Sequence, residues 1–346
     1  MQFDEPWIVV DVIVNAGVEL PDLNIQVCDQ SRPMTYVRGP RNVRRWEIMM
    51  LPGESAEAMT RPERIWQFLS PWIAPDQGTL WRSAAYRFHA LVAERWRVGR
   101  VFLAGDACHQ TPPFLAQGLN QGLRDAANLA WKLSAVIKET AGEGLLDTYE
   151  LERRPNVRQV IDVTKGLGRI ICERNPEAAG TRDAAMQADV VAGRGEFVRQ
   201  DLLPPLSAGL LGPGKGAGKV APQPWVHTSA GDRRLDDVVP LDWRIVISQD
   251  CIVDADVADA ARAAGMAIIR IGLSRGDGIT AFEEREHVFG HWLKAHEAEA
   301  AVVRPDHAVY ATVSTAPALK SLIAELVGTP AELQNDRANS TRSAAS

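Results

Sequence analysis

One run of the sequence constrains the fold more than any other. Over residues 99–132, an apolar predicted strand, a Gly-Asp pair, a proline-containing loop and a long predicted helix follow one another. The strand, residues 101–104, delivers Gly105 and Asp106 at its carboxyl end, where α/β folds bind ligands. Gly105 lets a ligand approach the backbone closely, and the carboxylate of Asp106 accepts hydrogen bonds from the hydroxyls of a polyol.

A stiff loop and a helix N-terminus follow this pair. Pro112 and Pro113 fix two φ angles, and the helix is predicted to run from Gln117 to about Glu139. Its predicted apolar stripe consists of Leu119, Leu123, Ala126, Ala130 and Leu133. Free N–H groups and the positive end of the helix dipole stabilise an anion at such an N-terminus. Taken alone, Gly105-Asp106 also fits an ordinary β–α connection with an N-capping aspartate.

Composition and charge exclude several classes of protein. The 346 residues are 46% hydrophobic and 24% charged, as in a globular protein of two domains. The net charge is −6 and both signs are mixed along the chain, so the sequence shows no basic segment of the kind that binds nucleic acid. The four cysteines form no CxxC pair and no metal-ligand spacing, which predicts reduced cytoplasmic thiols and no metal.

The pattern of apolar residues predicts neither a signal peptide nor a membrane span. The first residues lack a basic region and a cleavage site, and no apolar stretch approaches the roughly 20 residues that a spanning helix needs. Strands are predicted at 7–14 and 46–51, with a strand-like stretch at 79–98, which favours an antiparallel sheet. Helices are predicted at 61–72 and from Leu145 to about Cys172.

A stretch rich in proline and glycine near residue 200 predicts a domain boundary between 1–200 and 201–328. In the second domain, strands at 243–248, 267–271, 301–304 and 308–312 alternate with helices, which resembles a small thioredoxin fold. The helices of that domain are predicted at 255–265, near 283–297 and at 316–327. The polar tail, residues 329–346, is predicted to be disordered.

The most glycine-rich run, residues 212–219, fits neither nucleotide-binding fingerprint. Pro213 replaces the first glycine of a P-loop and Val220 replaces its Ser or Thr, so a flexible linker is the interpretation that remains. A GxGxxG motif after a strand is also absent from this sequence.

The whole run from Gly99 to Leu133 resembles the GD motif and following helix of class A flavoprotein monooxygenases. Within that family, the chain is most similar to the 3-(3-hydroxyphenyl)propionate and 3-hydroxycinnamate hydroxylases. The segments that carry this likeness are 45–54, 86–90, 146–155, 220–237 and 304–306. The likeness extends over about residues 5–310.

This resemblance implies an α/β (α+β) fold that forms the C-terminal part of an FAD/NAD(P)-binding monooxygenase, with a β-sheet substrate region and a thioredoxin-like domain. It implies FAD as cofactor. By this resemblance, Asp106 binds the ribityl chain of FAD, and Gly105 leaves room for that chain. The residues expected along the isoalloxazine are Pro112, Pro113, Gly118, Leu119 and Asn120. Cys108 stands where relatives often have alanine.

The implied reaction is ortho-hydroxylation of a small phenol with NADH or NADPH and O₂, through a flavin C4a-hydroperoxide, in aromatic catabolism. Activation of the phenol calls for a polar group, for which His89, Tyr36 and Tyr86 are candidates. Arg44 and Arg45 are candidates for pairing with a propionate carboxylate. Each of these residues, taken alone, is more often a packing or solvated residue.

Because the family's Rossmann unit and its DG motif are not found, we expect an N-terminal segment of about 150 residues to be missing. Two other functions stay open at this point. The chain is either an inactive fragment without cofactor, or a module in which residues 225–327 mediate assembly, for example as a homodimer.

Overall fold

A computed structural model describes residues 4–196 and 202–328. The chain divides into two compact units, each assembled from three stretches of sequence. The first unit comprises Met1–Ala93, Asp106–Leu119 and Gln159–Leu203, and the second comprises Glu94–Gly105, Asn120–Arg158 and Pro204–Ser346. The mixed helix and sheet fold class is confirmed. The predicted domains 1–200 and 201–328 stay a prediction, and the predicted disorder of 329–346 lies outside the described residues.

The first unit is built on a five-stranded antiparallel sheet. Its strands are β1 (Asp4–Val14), β2 (Ile25–Val27), β3 (Met34–Arg38), β4 (Val43–Met49) and β5 (Gly78–His89), in the spatial order β2-β3-β4-β1-β5. Successive side chains of a strand point to opposite faces. Ile8, Val10 and Val12 therefore share one face, where they join the core that includes the short helices α1 (Ala56–Met59) and α2 (Pro62–Leu69).

The opposite face of this sheet carries an aromatic cluster. The ring of Trp7 lies 5.9 Å from that of Phe114 and 6.0 Å from that of Phe88, measured between centroids. Met49 and Ile171 complete its buried part. The second face of the sheet is thus apolar around Trp7, and it carries the paired side chains of Asp11 and Arg45 further along β1.

Short strands and long helices make up the middle of the chain. The pairs are β6 (Leu91–Val92) with β9 (His109–Gln110), and β7 (Arg97–Val98) with β8 (Val101–Phe102). The helices are α3 (Gly118–Ile137), α4 (Asp147–Ile171) and α5 (Pro176–Val191). The sequence patterns predicted α3 and α4 within a few residues, whereas α5 was not predicted.

The C-terminal part of the second unit contains a mixed five-stranded sheet. Its elements in chain order are β10 (Trp225–Thr228), β11 (Gly231–Arg234), α6 (Leu235–Val238), β12 (Arg244–Ile247), α7 (Ala255–Ala263), β13 (Ala267–Ile271), β14 (Thr280–Phe282), α8 (Val288–Ala295), β15 (Ala300–Val303), β16 (Val309–Val313) and α9 (Ala316–Gly328). The strand order is β14-β13-β12-β15-β16, parallel on the β13 side of β12 and antiparallel on the β15 side. β14 was not predicted, and the thioredoxin-like assignment stays a prediction.

The prediction of a flexible linker at residues 212–219 is wrong. The N–H of Gly212 donates to the carbonyl of Tyr310 and the N–H of Gly218 to that of Val309, both at 2.8 Å. The N–H of Gly216 donates to Oγ1 of Thr312 at 3.1 Å. The run therefore lies hydrogen-bonded along β16, and its glycines permit a close backbone approach that side chains would block.

A buried charge cluster joins three distant parts of the second unit. It consists of Asn128, Lys132, Glu152, Arg304 and Asp306. Nη2 of Arg304 lies 2.7 Å from Oε2 of Glu152, and Nζ of Lys132 lies 2.9 Å from the same oxygen. Two cations and two anions balance each other, and Asn128 donates to both carboxylates. Such balance is what allows ions to stay charged out of water.

The cluster predicts how stability depends on pH. Burial alone raises the pKa of Glu152, but Arg304 and Lys132 outweigh it and lower the pKa from 4.5 to about 2. The unfolded chain therefore takes up a proton at this residue before the folded chain does. Its contribution to stability is present above pH 4.5 and is lost as the pH falls toward 2. Urea unfolding across this window should show a shallower pH dependence for Glu152→Gln; an equal slope in both proteins contradicts the prediction.

Candidate cofactor site

Gly105 adopts a left-handed backbone conformation that favours glycine. Its φ is +60°, and its N–H donates to Oδ2 of Asp125 at 3.1 Å. A Cβ on Gly122 would lie 3.3 Å from the Cα of Gly105, so the two glycines bring this turn close to α3. Gly122 and Asp125 were not singled out from the sequence, although both belong to the run that carried the prediction.

The strand before this turn differs from the prediction. β8 contains only Val101 and Phe102 and pairs with β7 as an antiparallel partner. Residues 105–107 then form a 3-10 turn. The predicted strand over 101–104 is therefore present but shorter, since it ends at Phe102. The residues after β8 form a turn in which the N–H of Gly105 is hydrogen-bonded to Asp125 of α3.

Asp106 presents a free acceptor. Its side chain is exposed, and within residues 4–196 and 202–328 its carboxylate has neither a hydrogen-bond partner nor an ion-pair partner. The helix α3 begins only at Gly118, so Asp106 is not its N-cap. The interpretation of the pair as an ordinary capped β–α connection is thus not what the structure has. An exposed carboxylate fits the hydroxyls of a polyol chain.

The proline loop forms a second short turn. Pro113–Leu115 is a 3-10 turn that closes when the N–H of Ala116 donates to the carbonyl of Pro113 at 2.7 Å. Pro112 is buried and Ala116 takes a left-handed φ of +50°. The loop that leads into α3 is therefore narrowly defined by proline geometry and local hydrogen bonding.

The start of α3 offers polar and apolar groups together. The side chains of Leu119 and Asn120 are exposed, Leu119 by 77%, and the first N–H groups of a helix have no partner within it. Gln117 is buried, and its Oε1 has no hydrogen-bond partner among the described residues. These groups suit a ligand that has both an apolar ring and polar edges, and the residues present therefore fit a flavin.

The amphipathic pattern of α3 is the reverse of the prediction. Leu119 and Leu123, at the start of the predicted stripe, are exposed by 77% and 59%. The buried residues of the helix are Gln121, Asp125, Asn128, Leu129 and Lys132. Polar residues at 121, 125, 128 and 132 also follow the helical period. This second pattern in the sequence could have indicated the buried polar face.

The polar face of α3 is buried because α4 supplies its partners. Nε of Arg153 lies 2.8 Å from Oδ1 of Asp125, and Nη2 donates to Oε1 of Gln121 at 2.6 Å. Nη1 donates to Asn156, also at a buried position. The same Asp125 accepts from Gly105, so this network fixes the Gly105 turn through α3 and α4.

Three of the residues predicted to contact the substrate, Tyr36, Arg44 and Arg45, instead make contacts within the protein. Tyr36 is fully buried, donates to the carbonyl of Pro21 at 3.0 Å and stacks on Trp72, which makes it a packing residue. Nε of Arg45 lies 2.7 Å from Oδ1 of the buried Asp11, so its guanidinium is already paired. Arg44 donates to backbone carbonyls at the end of β4.

Tyr86 and His89 remain on β5 at less buried positions. Tyr86 is exposed, with the guanidinium of Arg82 lying 5.4 Å from its ring centroid.

Glu47, on the same sheet as these residues, was not singled out from the sequence. Burial raises the pKa of its carboxyl. The carboxyl of Glu47 lies beside the ion pair of Arg45 and Asp11. The pattern of strand residues does not show that this carboxyl is largely buried.

No helix in the described ranges is long and apolar enough to cross a bilayer.

Two family models match the chain. A model described as an FAD binding domain matches residues 26–164, which include the Gly105 turn and the start of α3. A model described as an HcaD C-terminal domain matches residues 218–328.

Curated relatives include two bacterial hydroxylases. A probable NADH-specific resorcinol 4-hydroxylase of Rhodococcus jostii is 36% identical over 94% of this chain and 61% of that protein. A 3-(3-hydroxy-phenyl)propionate/3-hydroxycinnamic acid hydroxylase of Burkholderia vietnamiensis is 34% identical over 88% of this chain and 60% of that protein. The chain thus spans about three fifths of the length of these relatives.

Solved structures of flavin-dependent hydroxylases share the fold. A ternary complex of aklavinone-11 hydroxylase with FAD and aklavinone aligns with a TM-score of 0.67 and 22% identity, covering 94% of this chain and 63% of that chain. The flavin-dependent monooxygenase PieE aligns with a TM-score of 0.69 and 22% identity, covering 94% and 66%.

Proposed function

We propose that this chain, a member of the family of FAD-dependent aromatic hydroxylases, binds FAD through residues 105–120 and serves the hydroxylation of a small phenol. The observation that carries the proposal is the exposed carboxylate of Asp106 directly after the Gly105 turn, which has no hydrogen-bond or ion-pair partner among the described residues. The first turn of α3 adds N–H donors at the other end of the same segment. A polyol acceptor and an anion-stabilising helix end are two groups that suit the ribityl chain and the ring of this cofactor.

Each residue of this segment has a distinct role in the proposal. Asp106 accepts hydrogen bonds from ribityl hydroxyls, and Gly105 leaves room for the chain that carries them. Pro112 and Pro113 fix the loop, and Gly118, Leu119 and Asn120 contact the ring. When bound, FAD supplies the redox chemistry, with electrons from NADH or NADPH and O₂ as the oxidant.

The phenolic substrate is inferred from the relatives, whose names specify resorcinol and 3-(3-hydroxyphenyl)propionate. In the first unit, Trp7 and Phe114 form a buried aromatic core under the sheet, against which the partly buried Phe88 packs. Tyr86 and His89 stay the candidates for orienting a phenol, because Tyr36 is a packing residue. A cytoplasmic location and a homodimer stay predictions.

The test is a titration of FAD fluorescence with the purified chain. The wild-type chain should quench FAD saturably. Asp106→Ala should weaken binding about 10-fold or more, because a hydrogen bond to a charged group contributes about 1.5–3 kcal/mol. Asp250→Ala removes an exposed carboxylate elsewhere and should bind as the wild type does.

Two results would overturn the proposal. If the wild-type chain leaves FAD fluorescence unchanged, the alternative of a fragment or assembly module without flavin takes its place. If Asp106→Ala binds as tightly as the wild type, the assignment of the ribityl contact is wrong. The far-UV circular dichroism of each variant shows whether the fold is retained.

A further inference from the structure

A cleft of about 670 Å³ opens in the second unit, and none of its residues belongs to the flavin segment 105–120. Its walls come from the C-terminal half of α3 and the loop after it, the segment before β12, the turn between α7 and β13, and α9. Small-molecule sites are typically concavities of about 300–1,000 Å³ with mainly apolar walls. The cleft therefore has the size of a ligand site.

Two tryptophans form its aromatic wall. The ring centroids of Trp131 and Trp243 are 5.9 Å apart at an interplanar angle of 88°, an edge-to-face pair. Trp243 makes a second such contact with Tyr310 at 5.6 Å. The guanidinium of the buried Arg304 lies 5.5 Å from the ring centroid of Trp131. These contacts hold both indoles in place before any ligand arrives, which lowers the entropic cost of binding.

The charged groups of the cleft cancel. Lys138 contributes a cation that has no ion-pair partner within the described ranges, and Asp242 contributes an anion whose Oδ1 accepts from the N–H of Trp243 at 2.7 Å. The C-terminus of α3, near residue 137, adds the negative end of a helix dipole. An anion is disfavoured by Asp242 and the dipole, and a cation by Lys138.

We propose that this cleft binds a planar, uncharged aromatic molecule of one or two rings. An aromatic ring in contact with Trp131 and Trp243 gains stacking or edge-to-face interactions beyond the burial of its area. Small and aliphatic residues such as Ala135, Leu145 and Met266 contribute to the remaining wall and accommodate a flat molecule. The hydroxyl of Ser134 is one polar group of the wall that can orient it.

The probe for the test is 2-naphthol, which is flat, bicyclic and neutral at neutral pH. Isothermal titration calorimetry of the full chain should show saturable binding of one molecule. Trp243→Ala should weaken it 10-fold or more. Trp81→Ala, which removes a 62% exposed tryptophan from β5, is the matched control and should bind as the wild type does.

A second variant separates binding from folding. Ala135→Phe fills the cleft without removing any side-chain contact of its walls, and it should also weaken 2-naphthol binding 10-fold or more while the thermal unfolding temperature changes little. Naphthalene-2-sulfonate, the same ring system with a negative charge, should bind more weakly than 2-naphthol. An absence of saturable binding, or binding retained in Ala135→Phe, would overturn the proposal.

Discussion

Replacing Glu152 by glutamine is expected to lower the free energy of unfolding by about 3–5 kcal/mol. The substitution keeps the shape of the side chain but removes its charge, which leaves Lys132 and Arg304 with one carboxylate between them in a site closed to water. Breaking a buried pair costs more than the pair itself contributes, because the remaining charge loses both its partner and its hydration. Urea unfolding followed by the fluorescence of the tryptophans gives the change directly.

The control for this prediction is Glu57→Gln. Glu57 lies 3.5 Å from Arg61 in an ion pair whose side chains are 86% and 63% exposed. Exposed pairs contribute about 0–1 kcal/mol, so the same chemical change should be nearly silent there. Similar losses in the two variants would show that the buried charge cluster does not stabilise the second unit in the way described.

Replacing Gly218 by alanine is the other change with a large expected effect. Gly218 has φ +77°, and a Cβ added there would lie 2.0 Å from the carbonyl oxygen of Leu206, a backbone atom that cannot rotate away. The clash would force apart the hydrogen bonds from Leu206 N–H to Gly218 and from Gly218 N–H to Val309. We expect a loss on the order of 3 kcal/mol, from two hydrogen bonds and backbone strain together.

Gly17→Ala is the matched control for that substitution. Gly17 has a similar φ of +85°, but no atom lies within 4 Å of its Cβ position. The loss in the free energy of unfolding then comes only from placing alanine in a left-handed backbone conformation, and it should be about 1–2 kcal/mol. Chemical denaturation of both variants separates the close contact from the backbone conformation. Equal losses would mean that the run 212–219 is not held against β16.

Regular elements were predictable where one pattern dominated. β1 and β13 are runs of β-branched residues, and α3 and α4 carry long helical periods, so their positions agree with the sequence to within a few residues. The orientation of α3 was not predictable in the same way, because it carries an apolar stripe and a polar stripe at once. Which stripe is buried depends on Arg153 and Glu152 of α4 and on Arg304, far along the chain.

Long-range partners also explain the wrong interpretation of residues 212–219. Glycine-rich composition favours flexibility only when nothing pairs with the backbone. Here β16, about 95 residues downstream, supplies the acceptors. A single sequence does not show such a pairing.

The candidate site was predictable as a segment but not as a geometry. The Gly105-Asp106 pair and the loop after it stood out because the whole run resembles the motif of one family. Asp106 is exposed, so its carboxylate is accessible to the hydroxyls of a ligand. The helix contacts of Gly105 with Gly122 and Asp125 depend on packing. The pairing of Arg45 with Asp11 likewise needed the register of β1 and β4.

Amide hydrogen exchange of the full chain, with and without saturating FAD, tests whether residues 105–120 bind the cofactor. Exchange should be slower with FAD in peptides that cover residues 105–120, since ordering of that segment by the cofactor reduces its opening. Peptides that cover β13 at residues 267–271 should exchange at the same rate in both samples. Unchanged exchange at 105–120, or protection confined to other segments, would show that this segment does not bind FAD.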